Sequence, residues 1–467
     1  MDAQDSTAPL PTALQPAALL QRLGEAMRRY GGLIRAAQWV VVLFYAALVI
    51  VPAFLPLPAQ GASIVNNLTL LAQFLFWGIW WPFVMLSMML MGRVWCGTLC
   101  PEGSLTEFVS RRGLGRAIPR WMRWSGWPFF AFVMTTVYGQ LISVYEYPKA
   151  VLLILGGSTA GAIGVGYVYG KGKRVWCRYL CPANGVFGLL AKLAPVHFRV
   201  SEEAWKRQTG RVASIDCAPL IDLRHMKGGS ECHACGRCSG HRDAIALSAR
   251  SPNREVLALQ PKDVTRAEAL LLIYGVLGVA VGAFQWTLSP WFVAMKTAAA
   301  EWLVARDSYW LLQDNAPWWL LTHYPDASDV FTWLDGLCIL AYIGSVAIVL
   351  GSAILLCLSA ADRVLKAANT DWKVLAMTLI PIAGIGAFLG LSMLTVTLLK
   401  ADGVTFGWIQ EARGALLFAA IGWSVFLGLR RIAAAHTALT RRAIAGLLMC
   451  VPSALMALVW YTVFFVW

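Results

Sequence analysis

Charged side chains are scarce in this chain of 467 residues: they make up 14% of it, where a soluble globular protein carries roughly a quarter. Acidic ones are the scarcest, 25 against 39 Lys and Arg, for a formal charge of +14. Together with a hydrophobic share of 58% and a mean hydropathy of +0.61, this excludes an ordinary soluble globule. The positive charge does not point to nucleic acid, because it collects in alternate loops between apolar runs, as the positive-inside bias does. The first 35 residues lack the short apolar core and small-residue cleavage site of a secretion signal. None of the six histidines falls deep inside an apolar run, which argues against a bis-histidine haem within a bilayer. No Asp, Glu, Lys or Arg lies near the middle of a run either; Glu146, Asp335 and Lys400 are close to ends. Pumps and ion-coupled transporters place such groups at depth, so the chain is not expected to be a permease itself.

What is present in quantity is apolar sequence in lengths near the ~20 residues that cross a bilayer. Runs at about 39–57, 64–91, 127–145, 151–169, 269–292, 333–359, 372–399, 412–429 and 444–465 predict nine crossings. Arg93, Arg111, Arg112, Arg116, Arg120 and Arg123 mark one loop as cytoplasmic; Arg363, Lys366 and Lys373, then Arg430, Arg431, Arg441 and Arg442, mark two more. The expectation is an all-α polytopic membrane protein of about nine transmembrane helices, amino end inside and carboxyl end outside, with a small cytoplasmic ferredoxin-like insert. Its parts would be a cytoplasmic segment 1–35, a four-helix membrane domain 36–170, the cytoplasmic domain 171–265, and a five-helix membrane domain 266–467 with a Trp-rich outer loop at 293–330. Residues 19–36 read as an amphipathic helix, interfacial or frayed. Gly156, Gly157, Gly161, Gly164 and Gly166 suit close helix packing.

Eight of the eleven cysteines fall in or beside the basic loops, where a reducing compartment favours metal or cluster binding over disulfides. Arg93-Val94-Trp95-Cys96-Gly97-Thr98-Leu99-Cys100-Pro101 recurs 81 residues later as Arg174-Val175-Trp176-Cys177-Arg178-Tyr179-Leu180-Cys181-Pro182. Each copy follows an apolar run, so the segment reads as an internal duplication in which the two pairs can face each other. Cys96, Cys100, Cys177 and Cys181 would then hold one iron–sulfur cluster; redox-active dithiols and a soft copper(I) site are the other readings. Cys232-His233-Ala234-Cys235-Gly236-Arg237-Cys238 is most of a ferredoxin run, but the expected fourth position is Arg242. Cys217 is the nearest thiol able to complete a 4Fe–4S site with Cys232, Cys235 and Cys238; tetrahedral zinc is the alternative. Lys171, Lys173, Arg93, Arg174 and Arg178 would lower the thiolate pKa values and offset cluster charge. His233 and His241 read as exposed loop residues or partners of cluster sulfur. Cys338, Cys357 and Cys450 read as buried small residues.

These motifs, over about residues 60–260, resemble the membrane polyferredoxins of the NapH/NosR type. The stretches Asp216-Cys217-Ala218-Pro219-Leu220-Ile221-Asp222-Leu223 and Ser248-Ala249-Arg250-Ser251-Pro252-Asn253-Arg254 resemble more particularly the FtrD-like subunit of bacterial ferrous-iron uptake systems. That resemblance implies an electron-transfer subunit in the bacterial inner membrane, with clusters on the cytoplasmic side. Its implied partners are an iron permease and a periplasmic cupredoxin or iron-binding protein. A quinone is the further cofactor to consider, since no residue in the runs obviously carries an electron across ~30 Å of hydrocarbon. The rivals are a metal reductase or assembly factor like the CcoG group, NapH-type quinol-linked transfer, and a zinc-stapled scaffold. Only one ferredoxin-type run is present, and no flavin-attachment or haem signal accompanies it.

Overall fold

The computed structural model describes residues 16–59, 61–208, 212–215, 217–226 and 228–467; Asp216 and the first fifteen residues of the expected amino-terminal segment lie outside them. Helix α1 (Pro16–Arg29) leads into α2 (Gly31–Phe54), and α3 (Leu68–Met91) runs back to the first thiol pair. Then come α4 (Pro101–Ser110), α5 (Trp127–Leu141) and α6 (Pro148–Tyr169). After the second pair, α7 (Asn184–Ala191) opens the insert, whose antiparallel strands β1 (Val196–Val200) and β2 (Ile245–Ala249) pair Val196 with Ala249 and Val200 with Ile245. The second half is α8 (Arg266–Gln285), α9 (Pro290–Val304), α10 (Trp333–Leu365), α11 (Ile380–Ala401), α12 (Ile409–Ala433) and α13 (Leu439–Val466). The protein is thus a helical multi-pass membrane protein with a small mixed insert.

Among the described residues, eight helices are long and apolar enough to cross a bilayer, and α5 is not one of them. Its 15 residues rise about 22 Å at 1.5 Å each, short of the ~30 Å hydrocarbon core. The apolar residues expected to extend it are turned away instead, with Ser143 at φ +47°. The helix still joins the two ends of the bundle. Pro128 in its first turn packs on Gly185 beside the thiol loops, while the Leu141 carbonyl at its far end accepts from the Thr322 N–H. The expected fifth run is also divided: α8 ends at Gln285, and Ser289 caps the separate helix α9, so the first third of the expected outer loop is helical. The rest of that segment holds a two-residue hairpin, β3 (His323–Tyr324) against β4 (Asp329–Val330).

The main core gathers Met88, Leu190, Leu272, Ile354, Leu375 and Met449 from α3, α7, α8, α10, α13 and the turn before α11. Between membrane helices such contacts contribute packing rather than exclusion of water, so close backbone approach matters. Gly166 of α6 shows this: a Cβ there would lie 2.6 Å from the Thr106 hydroxyl of α4. A line of rings follows α3 through the middle of the bundle, where interfacial belts do not reach. Tyr145 touches Trp77 (4.6 Å between centroids), Trp77 touches Phe76 (4.9 Å), Phe76 touches Trp80 (5.9 Å) and Trp80 touches Trp95 (5.1 Å). A widened π-helical stretch, Phe74–Trp80, carries three of these rings on α3.

Helix α1 is neither frayed nor detached. Its Leu20 and Met27 pack against the insert core of Phe198, Ile221, Met226, Cys238 and Leu247. Gly24 and Gly236 make the approach close, since a Cβ on Gly236 would lie 2.5 Å from the Met27 side chain.

Candidate iron–sulfur centre

The duplicated motif folds the same way twice. Val94–Thr98 and Val175–Tyr179 each form a single helical turn. In the first, the N–H groups of Leu99 and Cys100 both donate to the Trp95 carbonyl, at 3.0 and 2.9 Å. In the second, Leu180 and Cys181 donate to Trp176 at 2.9 and 3.0 Å. This sharp close brings both cysteines of a pair to one side of the turn. Pro101 then starts α4 at the first helical position, where a missing N–H costs nothing, and Cys100 caps it: its Sγ accepts from Gly103 N–H at 3.4 Å.

By mutual electrostatic reach the eight predicted thiols fall into two sets of four. Cys100 and Cys181 lie within electrostatic reach of each other and of Cys96 and Cys177. Cys238 lies within reach of Cys217, Cys232 and Cys235. The insert loop is shaped by left-handed residues, Ala234 at φ +47° and Gly236 at φ +75°, and it points backbone donors at sulfur. Ala234 N–H donates to Cys232 Sγ at 3.3 Å, and Ile221 N–H donates to Cys217. Cys338, Cys357 and Cys450 lie in the spans, away from both groups.

The two groups abut. A Cβ on Gly97 would sit 2.0 Å from the His233 carbonyl oxygen and 2.8 Å from the Cys235 nitrogen, so the first thiol loop and the insert loop touch backbone to backbone. Gln38 of α2 clamps the same point by donating to the Gly97 carbonyl at 3.0 Å. The two motif arginines fill the seam and are almost wholly buried, Arg93 at 4% and Arg174 at 2% exposure. Arg93 donates to the Ser230 carbonyl (3.0 Å) and Asn184 Oδ1 (2.6 Å). Arg174 donates to the Cys96 carbonyl (2.6 Å) and to Glu107 Oε2 (2.8 Å). Glu107 in turn receives Arg237, at 2.7 and 2.9 Å. Burial alone would raise the Glu107 carboxyl; Arg174 and Arg237 overcome it and hold the group below its ordinary value. A second carboxyl, Glu102, lies beside the first group, half-buried and raised by desolvation, with Trp176 Nε1 donating to it at 3.1 Å.

The basic residues do not lower the thiols as the sequence suggested. Burial pushes Cys177 up to about 12 against the pull of Arg174, and Cys232 to about 12 likewise. Cys100 and Cys181 are pushed well up by burial first, then by neighbouring charge, Cys177 foremost for Cys100 and Glu102 foremost for Cys181. Loading iron therefore means displacing protons from buried thiols, the usual coupling of metal binding to deprotonation. His233 is not an exposed loop residue, one of its two readings from sequence: it is 3% exposed, and burial beside Arg93 and Arg174 holds it well below the ordinary histidine value. His241 lies at the surface of the insert against Trp205.

Among the described residues, no three His, Cys, Asp or Glu side chains converge closely enough for a single metal ion. The donor set suits a larger group better: four soft thiols per site, backbone N–H groups on sulfur, and buried cations against the net negative charge of a cluster. Comparison with known proteins agrees. Two stretches, 73–125 and 154–201, match the family described as "4Fe-4S binding domain". They are the two copies of the duplication, each with its Cys-x3-Cys-Pro pair. The chain is also similar to YccM of Escherichia coli K12, named for electron transport, at 25% identity over 236 residues, 44% of this chain and 64% of that protein. The regulatory protein NosR of Pseudomonas aeruginosa is 26% identical over 185 residues, 34% of this chain and 25% of its own length. The chain thus matches less than two thirds of either relative. No solved structure matches it.

Glu102, Glu107 and the seam role of Arg174 were not legible in the sequence. The one available signal was the repeated Arg two residues before each Trp-Cys.

Proposed function

We propose that this protein is a membrane electron carrier holding two 4Fe–4S clusters at its cytoplasmic end. One would be on Cys217, Cys232, Cys235 and Cys238, the other on Cys96, Cys100, Cys177 and Cys181. The observation that carries this reading is the collection of eight thiols into two abutting fours, built from a duplicated turn and an insert loop. Bound clusters supply one-electron chemistry; the chain supplies position, charge and exclusion of water. Arg93 and Arg174 offset negative charge, Gly103, Ala234 and Ile221 donate to sulfur, and α1 with Met27 covers the insert loop. The basic loops on the same end support a cytoplasmic placement. The name of YccM supports electron transport as the class of function.

In physiological terms we place the carrier in a ferrous-iron uptake and oxidation system, with an iron permease and a periplasmic cupredoxin or iron-binding protein as partners. The support is the resemblance of the Cys217 and Ser248–Arg254 stretches to that subunit, and the absence of deep charges that a permease would need. A quinone fits as carrier between the outer partner and the clusters.

Anaerobic purification with iron and acid-labile sulfide quantification tests the core of this reading. About eight irons are expected per chain, with roughly half lost in Cys217→Ala and half in Cys177→Ala. Colourless protein, stoichiometric zinc, or copper in place of iron would overturn it. The system assignment is tested separately, by ferrous-iron uptake in cells lacking the protein; unchanged uptake would remove it.

A further inference from the structure

Between the two thiol groups lies a charged cluster that a simple scaffold would not require: buried Glu107 with buried Arg174 and half-exposed Arg237, and with the exposed Arg111 one turn along α4 at 3.3 Å. Glu107 comes from α4, behind the first pair; Arg174 comes from the second copy of the motif; Arg237 comes from the insert loop itself. Each of these three is thus supplied by a different part of the chain, and Arg174 ties them to the residue before Gly97 by donating to the Cys96 carbonyl. Arg174 lies within electrostatic reach of Cys177 on one side and Cys235 on the other, while donating to the Cys96 carbonyl. Arg237 lies within reach of Cys217. A pair as deep as Arg174–Glu107 is weak evidence of stabilisation, because desolvation offsets the attraction. Their effect on any charge nearby is large for the same reason, since the local dielectric is low.

We propose that Arg174, Glu107 and Arg237 join the two thiol sites into one redox unit, so that an electron on one site is felt at the other and passes to it through the Gly97–Cys235 contact. In that exchange one site is oxidised by one electron and the other reduced by one; no bond forms or breaks and no proton moves. Glu107 is the tuning charge. It opposes the arrival of an electron at both sites, and Arg174 and Arg237 favour it. The residues act through position and charge and touch no substrate. The inference rests on the two-cluster reading above.

The test is a redox titration of the full-length protein in detergent, followed by EPR, after iron and sulfide analysis has established how many clusters it holds. With both sites reduced, the spectrum should be broadened by spin–spin interaction. The broadening should vanish in Cys232→Ala, which leaves one site loaded. Glu107→Gln removes the negative charge and keeps one of the two acceptor oxygens, so both midpoint potentials should rise. Arg237→Gln should lower both, and Arg237→Lys should restore them. Arg237 is partly exposed, at 38% of its side chain, so its variants test the idea even if a Glu107 variant fails to fold. A purely structural triad would not move two potentials in opposite senses with opposite changes of charge. Two clusters without broadening, or a shift at one site alone, would overturn the inference and leave the two-cluster reading standing. A single cluster per chain would overturn both.

Discussion

The two copies of the Arg-Val-Trp-Cys motif share a turn, a hydrogen-bond pattern and a place behind a membrane helix, and they differ in what they hold. At the fifth position the first copy has Gly97 and the second has Arg178. Gly97 is pressed by the insert loop, while Arg178 reaches outward to Glu231 at 3.2 Å. Arg93 binds neutral oxygens, whereas Arg174 binds the buried carboxylate of Glu107. After the closing proline the first copy has Glu102 and the second Ala183. Duplication supplied two equivalent thiol turns. Divergence made one of them the seat for a third loop and the other the provider of its counter-charge.

The largest effect that separates the copies is expected from their arginines. Arg174→Ala leaves Glu107 buried with only part of its compensation and should cost about 3–5 kcal/mol. Arg93→Ala leaves two neutral acceptors unpaired and should cost about 1–3 kcal/mol. Thermal unfolding in detergent checks the order; equal losses would erase the distinction. Next comes the fifth position. Gly97→Ala forces the insert loop away from the seam, about 1–3 kcal/mol of overpacking, and should lower iron content at both sites. Arg178→Gly should leave iron content unchanged.

A smaller and purely insert-borne effect is acid sensitivity. His197 on β1 is held at about 4 by burial and by Arg250, against 6.5 for an ordinary histidine. Between those values the unfolded chain binds the proton and the folded one does not. Stability of the insert should therefore fall as pH drops from 6.5 towards 4 and level off below, and His197→Gln should flatten that slope. Melting curves across this range decide it. The smallest effect is expected from Glu231→Gln: its pair with Arg178 is exposed, worth about 0–1 kcal/mol, and should fade with added salt.

The spans and the thiols were legible in the chain because both depend on local pattern. A run such as 333–359 announces α10 by length and composition, and the recurrence of Arg-Val-Trp-Cys announces a repeated turn. What escaped was set by distant partners. The 127–145 run is apolar throughout, yet Ser143 and the Thr322 contact stop α5 at Leu141. The hydrophobic side of α1 fits a membrane surface as well as a protein, and only Gly24 and Gly236 let it lie on the insert. Basic residues near Cys177 suggested an acidic thiol, but burial outweighs charge there, and depth of burial is not written in spacing. Glu107 looks like an ordinary helix residue until Arg174 and Arg237 arrive from 67 and 130 positions away.

The ring line on α3 has an optical consequence. Trp77, Trp80 and Trp95 belong to one run of neighbouring rings, and the last is one peptide bond from Cys96, so ultraviolet excitation absorbed along the helix has a short path to the thiols. A visible-absorbing pigment seated there would drain that light. Iron-free protein would glow and loaded protein would be dim, which gives the molecule a built-in gauge of its own occupancy.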